Sequence, residues 1–149
     1  MDEPKNEKFS WHKTCEKLDW EELSHLYKIA PLADKKAADL KITFANSRFV
    51  WLIYDEQKLL GAGRALADGL DCSYICDVAV HPDYQGYGIG KGIMSRLLEQ
   101  SKDHRKIILY AAPGKEGFYK KLGFKRMTTA MAIFQDEVRA LGAGLVDES

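Results

Sequence analysis

The chain has 149 residues, 46% of them hydrophobic and 30% charged, and its 22 Lys and Arg residues balance 22 Asp and Glu residues. Such a length and composition are typical of one globular domain with a hydrophobic core. The zero formal net charge argues against a nucleic-acid-binding domain. No apolar stretch approaches the ~20 residues that cross a bilayer, so we expect no membrane partner.

The cysteines and histidines predict neither a disulfide nor a metal site. Cys72 and Cys76 lie four residues apart in a predicted strand, roughly 13 Å from each other, which is too far for one metal ion or one disulfide. With Cys15 they are expected to be reduced, and the charged N-terminus is not a signal peptide, so we expect a cytoplasmic protein. The histidines do not cluster and predict no metal ligation: His12, His25, His81 and His104.

The first 45 residues predict one short strand and two helices. Residues 9–14 alternate weakly and favour a strand. Asp19 and Glu22 form a capping-box pattern that opens a helix ending near Pro31. Asp34 opens a second helix.

Three strands follow, separated by polar and glycine-containing turns. Residues 49–54 are a dense run of aromatic, β-branched and aliphatic side chains, residues 59–67 return as a second strand, and residues 73–80 form a third. Asp77 is the one charged residue in that third, apolar strand.

The rest of the chain alternates between helices and strands. Residues 87–101 have helical spacing, 106–111 predict a buried strand, 116–122 a short helix, and 124–134 one or two closing strands. A right-handed crossover places 106–111 parallel to the strand that precedes the first of these helices. The fold class is therefore α/β, with a mixed, mostly antiparallel sheet, one parallel pair and about four flanking helices.

The turn from Gln85 to Gly90 has the composition of an anion-binding site. Amides at a helix N-terminus lack intrahelical partners, the helix dipole adds positive charge there, and glycines allow a phosphate close to the backbone. The dinucleotide fingerprint fails because Lys91 or Ile93 stands where its last glycine should be. The ATP-binding P-loop fails because Gln85 replaces its first glycine.

The pattern that does fit is Q-x-x-G-x-G, as Gln85, Gly88 and Gly90. It resembles the coenzyme A signature of the GCN5-related N-acetyltransferases, the GNAT family. The preceding strand, ICDVAV at 75–80, resembles the family's fourth strand, and GFYKKLGF at 117–124 resembles its last motif.

The resemblance covers residues 9–134 and implies an N-acetyltransferase domain of the GNAT fold, with the parallel strand pair at the coenzyme site. Residues 1–8 are then a disordered lead-in and 135–149 a C-terminal tail. The cosubstrate it implies is acetyl-CoA, with no metal. Strand edges in this family permit a homodimer.

The resemblance also implies which residues bind the coenzyme. The backbone of Val78 and Val80 would pair with the pantetheine amides, and the glycine turn would hold the pyrophosphate. The implied set is Val78, Ala79, Val80, Gln85, Gly86, Tyr87, Gly88, Ile89, Gly90, Lys91 and Tyr119.

Acetyl transfer needs a neutral amine, an oxyanion donor and a donor for the departing thiolate. The resemblance places the Tyr119 hydroxyl near the coenzyme sulfur as the acid, although a tyrosine there could simply pack a short helix. Asp77 is a candidate base or a binder of the amine's charge, unless it forms an ion pair, for example with Arg64. Glu116 is the second candidate base, unless it is a helix-opening charge. The oxyanion donor is expected in the backbone, at or near Val78.

The first two helices cover the acceptor in this family. Tyr27 and Leu32 in that region favour a flat or hydrophobic amine, unless they are core residues, and Tyr74 and Asp77 lie towards the substrate side. A looser similarity points to arylalkylamine or serotonin-type acetyltransferases. We therefore expect acetylation of a small-molecule primary amine through a ternary complex. Amino sugars, aminoglycosides, polyamines, protein amines and a non-catalytic acyl-CoA-binding module stay open.

Overall fold

In the computed structural model of the chain, which describes residues 8–149, five strands form one sheet. They are β1 (Ser10–His12), β2 (Phe49–Asp55), β3 (Lys58–Ala67), β4 (Cys72–Val80) and β5 (Lys106–Ile108). Their order in the sheet follows the chain; the first four are antiparallel, and β4 and β5 are parallel. The mixed, mostly antiparallel sheet with one parallel pair is confirmed. Residues 1–7 of the expected lead-in lie outside the described residues.

Residues 8–149 also form five α-helices, one more than the approximate number expected. They are α1 (Trp20–Ile29), α2 (Ala37–Ala45), α3 (Ile89–Ser101), α4 (Glu116–Lys121) and α5 (Glu137–Gly142). The additional helix, α5, lies in the expected C-terminal tail, where Asp136 caps it by accepting a hydrogen bond from the Arg139 amide. The described chain divides into two compact units, one ending at Leu109 and the other running from Tyr110 to Ser149.

The start of α1 follows only half of the predicted capping box. Asp19 Oδ1 accepts hydrogen bonds from the amides of Glu21 (3.0 Å) and Glu22 (3.3 Å). Glu22 does not reach back to the cap; its Oε2 accepts the backbone N–H of Leu59 at 2.9 Å. The difference arises because α1 packs against β3, whose amide needs a partner once it is buried.

Two strand predictions need correction. Strand β5 ends at Ile108 rather than at residue 111, and no strand forms in residues 124–134, all of which the structure describes. A strand needs a neighbouring edge for its backbone hydrogen bonds. The second unit, residues 110–149, contains no strand, and Met131 in the predicted segment is 96% exposed.

The sheet buries different helices on its two faces because side chains alternate along a strand. Ala62 belongs to the core cluster that contains Leu23, Leu26 and Tyr27 of α1 and Leu40 and Phe44 of α2. The flanking Gly61 and Gly63 face α3 instead. A Cβ at Gly63 would lie 2.7 Å from Ile93 Cγ2, and one at Gly61 would lie 3.0 Å from Ile89 Cγ2. The two glycines therefore let α3 approach the sheet closely.

The outer part of α3 is held by two tryptophans. Gly92 packs under the Trp11 ring, where an added Cβ would meet Trp11 Cη2 at 2.6 Å. One turn later the Arg96 guanidinium stacks 3.6 Å from the Trp11 ring centroid and 5.5 Å from that of Trp51. Trp51 Nε1 donates to Gln100 Oε1 at 2.9 Å. These contacts fix the helix on β1 and β2.

We expect Gly63→Ala to destabilise the protein, by about 1–3 kcal/mol on the scale of overpacked cores. The new methyl would meet Cγ2 of a β-branched residue, whose rotamer is fixed in a helix. Thermal unfolding measures the effect. Gly142→Ala is the matched control, because nothing lies within 4 Å of its Cβ position. A Gly63→Ala variant as stable as the unmodified chain would contradict the close packing of α3.

Candidate active site

A β-bulge interrupts β4 just before the glycine turn. Ala62 pairs with Ala79 and Arg64 pairs with Cys76, so two residues of β4, Asp77 and Val78, face one residue of β3. Asp77 has φ 57°, in the left-handed region. For residues with a Cβ this region costs roughly 1–2 kcal/mol, although Asp tolerates it better than most. The bulge interrupts the β3–β4 ladder at Asp77 and Val78, and the pairing resumes at Ala79 and Val80.

Three side chains hold Asp77 in this conformation. Tyr27 Oη donates to the Asp77 carbonyl oxygen at 2.7 Å. Arg64 Nε donates to Asp77 Oδ2 at 2.8 Å, and Lys35 Nζ lies 3.5 Å from Oδ1. The Asp77 and Arg64 side chains are only 13% and 12% exposed. The ion pair with Arg64, one of the two predicted alternatives for Asp77, is confirmed.

Tyr27 lies in the core of the first unit. It is fully buried, and burial, followed by the charge of Asp77, raises its pKa well above the usual value of about 10. Its hydroxyl is therefore a permanent donor at neutral pH. For Tyr27 the sequence predicted either a contact with the acceptor or a position in the core. Leu32, the other residue expected in the acceptor region, is 39% exposed.

Strand β4 has an open edge beside the bulge. Strand β5 pairs only with the first three residues of β4, ending at Tyr74 opposite Ile108. Within the first unit, as far as it is described, β4 continues from Ile75 to Val80 with no partner strand on that side. Backbone groups on such an edge can pair with an extended ligand.

The glycine turn joins this edge to the N-terminus of α3. A 3₁₀ turn, Pro82–Tyr84, comes first, capped by His81 Nδ1, which accepts the Asp83 amide at 3.1 Å. Gly86 and Gly88 then adopt φ values of 88° and 78°. A Cβ at Gly86 would meet nothing within 4 Å, so the turn faces open space.

The N-terminus of α3 suits an anion. Its cap, Gly88, provides no side-chain hydrogen bond, and its first turn contains no acidic residue. The Gly92 amide donates to the Gly88 carbonyl at 2.9 Å, which closes the first turn. Helix geometry directs the preceding amides outward, and the dipole adds positive charge. The turn can therefore bind a phosphate.

An aromatic cluster that the sequence reasoning missed supports the turn. The rings of Phe9, Tyr84 and Tyr87 lie with centroids 5.9–6.1 Å apart. The Lys58 ammonium lies 5.1 Å from the Tyr84 ring centroid. Tyr84 immediately precedes the turn, Tyr87 lies within it, and Phe9 immediately precedes β1. The two tyrosines at positions 84 and 87 were the sequence pattern from which this cluster could have been predicted.

The second unit contains the predicted acid. Tyr119 lies on α4, with its ring edge-on to Phe118 (5.1 Å) and Phe124 (5.9 Å). Burial raises its pKa, so the phenol remains protonated at neutral pH and can act as a donor. Packing and proton donation are thus compatible in this residue.

Glu116 opens the same helix. Its Oε1 accepts the Gly114 amide at 2.7 Å. Hydrogen bonds from its own amide and from that of Gly114 lower its pKa, which weakens it as a base. The helix-opening role expected as its alternative accounts for these contacts.

The cysteines take no part in this arrangement. All three are free, and burial raises the pKa of Cys76 to about 11. Across residues 8–149 no three His, Cys, Asp or Glu side chains are grouped as a metal site would require. None of the helices in that range is long and apolar enough to cross a membrane.

Comparison with known proteins defines the class. Residues 11–124 match the acetyltransferase (GNAT) family, so the chain belongs to that family. It is therefore by class an acetyl-CoA-dependent N-acetyltransferase, and the fold expected from the glycine turn is confirmed.

Individual relatives agree with this assignment. An uncharacterised N-acetyltransferase of Pyropia yezoensis is 32% identical over 131 residues, covering 75% of each chain. A chloroplast serotonin N-acetyltransferase of Oryza sativa subsp. japonica is 31% identical over 124 residues, covering 78% of this chain and 61% of that protein. The solved structure of a GNAT acetyltransferase from Streptococcus pneumoniae TIGR4 has a TM-score of 0.69 at 24% identity, covering 86% of this chain and 98% of the other.

We expect Gly88→Ala to raise the dissociation constant for acetyl-CoA about tenfold, the equivalent of roughly 1.4 kcal/mol. The reason is that a Cβ disfavours φ 78° at the helix cap. Isothermal titration calorimetry measures the constant. Gly144→Ala imposes the same strain at φ 76°, outside the turn, and should leave the affinity unchanged. Equal affinities for both variants would contradict the phosphate-binding role of the turn.

Proposed function

We propose that this acetyltransferase transfers the acetyl group of acetyl-CoA to the primary amine of a small molecule, by direct attack within a ternary complex. The observation that carries the proposal is the continuous path from the bulged, open edge of β4 into the glycine turn and the N-terminus of α3. An extended coenzyme needs such a path, with strand-like pairing for pantetheine and amides for the pyrophosphate.

On the donor side, the backbone of Val78 and Val80 would pair with pantetheine, with Ala79 between them. The pyrophosphate would lie on the turn. The remaining predicted contacts are Gln85, Gly86, Tyr87, Gly88, Ile89, Gly90 and Lys91. The Gly86 position supports this, because the space beside its Cα is open.

For the reaction itself, the Val78 amide is our proposed donor to the tetrahedral oxyanion. The bulge supports this assignment, because it removes that residue from a regular ladder. Tyr119 would protonate the departing thiolate. Burial raises the pKa of Tyr119 from its usual value of about 10, so the phenol is in the acid form at neutral pH, as proton donation requires.

No strong base is evident among the predicted candidates. Both carboxylate oxygens of Asp77 face cations, and the pKa of Glu116 is lowered. We therefore expect the neutral fraction of the amine to react, with Asp77 acting through its charge and its backbone. The catalytic assignments of Asp77 and Glu116 stay predictions.

The acceptor would enter beside the connection between α1 and α2. A cavity of about 230 Å³ lies there, lined by Asp34, Lys35, Asp39, Leu40 and Thr43. Lys35 reaches from this cavity to Asp77. The exposed carboxylates of Asp34 and Asp39 suit a cationic amine, and the volume suits a small one. The serotonin acetyltransferase name of the rice relative makes arylalkylamines our first choice.

Two observations bear on the cellular compartment of the protein. The free cysteines support a reducing environment, and the cytoplasm stays our prediction. The rice relative is named as a chloroplast protein, which makes the plastid the alternative.

An amine panel with thiol detection tests the proposed function. We expect release of free CoA with arylalkylamines such as tryptamine and serotonin, and weaker release with amino sugars, aminoglycosides, polyamines and peptides. Saturable acetyl-CoA binding with no thiol release across the whole panel would instead indicate a non-catalytic acyl-CoA-binding module.

We expect Tyr119→Phe to lower kcat by about 10²-fold or more, the usual contribution of a positioned acid. The dissociation constant for acetyl-CoA should change little. Because the acid form is lost only as pH rises through the raised pKa, the alkaline limb attributable to Tyr119 lies above pH 10 and disappears in the variant. Steady-state kinetics and calorimetry give both constants.

The matched control is Tyr110→Phe, which removes a hydroxyl from a 59% exposed tyrosine of the same unit. Its kcat should equal that of the unmodified chain. Unchanged turnover in Tyr119→Phe would rule out Tyr119 as the acid.

A further inference from the structure

The geometry points to Tyr27 and Arg64 as positioning residues that aim the Val78 amide at the reacting carbonyl. This inference rests on the proposed function, because it assigns Val78 as the oxyanion donor. It gives Tyr27 a role different from the acceptor contact predicted from the sequence.

The peptide group between Asp77 and Val78 links the Tyr27 hydroxyl to the Val78 N–H. A peptide unit is planar, and the structure contains no cis peptide bond in its described residues. The carbonyl of Asp77 and the N–H of Val78 therefore point in opposite directions. Because Tyr27 Oη binds that carbonyl at 2.7 Å, it also fixes the direction of the Val78 N–H. One buried hydroxyl thus orients the proposed oxyanion donor from the far side of the peptide.

This orientation of the peptide group requires the left-handed backbone conformation of Asp77. A left-handed Asp77 persists only where its surroundings hold it. Arg64 supplies the second constraint, because its Nε binds Asp77 Oδ2 at 2.8 Å. Arg64 lies on β3 directly opposite Cys76, one residue before the bulge. Its Nη1 also donates to Ser47 Oγ at 3.2 Å, which anchors the guanidinium on the α2 side.

The two constraints act on different parts of one residue. Tyr27, from α1, binds the backbone, and Arg64, from β3, binds the side chain with the shorter of its two ion-pair contacts, 2.8 Å against 3.5 Å for Lys35. Removing either should allow the peptide to rotate while the rest of the sheet stays paired. The expected consequence is a misdirected donor in a folded protein, which lowers kcat rather than coenzyme affinity.

Tyr54 provides a matched comparison. It is also a buried tyrosine of the first unit, 7% exposed, yet its hydroxyl finds no hydrogen-bond partner among residues 8–149. Removing the Tyr54 hydroxyl removes a buried polar group without breaking a hydrogen bond, which should not destabilise the fold. A general effect of losing a core phenol would appear in both positions, whereas a positioning effect would appear only at Tyr27.

The test compares Tyr27→Phe with Tyr54→Phe, using the amine on which the unmodified chain is most active. We expect kcat to fall about tenfold or more in Tyr27→Phe, because a misdirected donor loses part of the roughly 10²–10³-fold contribution of an oxyanion-hole hydrogen bond. The acetyl-CoA dissociation constant should change less than about threefold. Tyr54→Phe should retain the kcat of the unmodified chain. In ¹⁵N-edited NMR spectra without substrate, the Val78 amide should shift in Tyr27→Phe and stay in place in Tyr54→Phe.

Arg64→Met is the second variant, and it keeps the inference testable if Tyr27→Phe does not fold. It should shift the same Val78 amide and lower kcat in the same way. An unmoved Val78 amide with kcat within twofold of the unmodified chain, in a folded Tyr27→Phe or Arg64→Met variant, would overturn the inference. Equal losses in Tyr27→Phe and Tyr54→Phe would overturn it as well. If the unmodified chain releases no CoA with any amine, the proposed function fails instead, and the NMR comparison still reports on the peptide.

Discussion

The hydrogen bond from Tyr27 to the Asp77 carbonyl joins residues 50 positions apart and sets the geometry of the site. It holds a residue in a disfavoured backbone conformation at the point where β4 would otherwise continue as a regular strand. With Asp77 held, two residues of β4 face one residue of β3 across the ladder, which is the geometry of a β-bulge. The edge of β4 beyond Tyr74 is open because β5 ends at Ile108.

The proposed coenzyme site also requires a helix N-terminus at a fixed distance from the bulge in β4. That position depends on Gly61 and Gly63, whose missing side chains let α3 lie close to β3. Trp11 and Arg96 secure the outer side of the helix. Acetyl transfer needs the thioester and the phosphate held by one rigid frame, because small displacements of the reacting group are costly. Here the frame consists of one bulged strand and one closely packed helix.

Much of this architecture could be predicted from the sequence, because strands, helices and the glycine turn leave local patterns. The apolar run at 49–54, the helical spacing after Gly90 and the Gln85–Gly90 signature needed only neighbouring residues. The bulge could not be predicted, because its cause is a tertiary contact between α1 and β4. The hydrogen bond of Glu22 is likewise a tertiary contact, because its carboxylate accepts the amide of Leu59 on β3 and not the amide of the helix cap, Asp19. The strand expected at 124–134 fails for the converse reason, because a local pattern does not supply a paired edge. The one local sign of the bulge was Asp77, a charged residue in an otherwise apolar strand.

In the proposed complex, the bulge at Asp77 and the turn after it together hold acetyl-CoA. A crystal structure of the chain with CoA tests this most directly. We expect pantetheine paired with the backbone of Val78–Val80 and the pyrophosphate within hydrogen-bond distance of amides in Gly86–Gly90. Asp77 should still be at positive φ, with the Tyr27 hydroxyl on its carbonyl. Coenzyme bound away from this turn, or a regular β4 with Tyr27 released from Asp77, would contradict it.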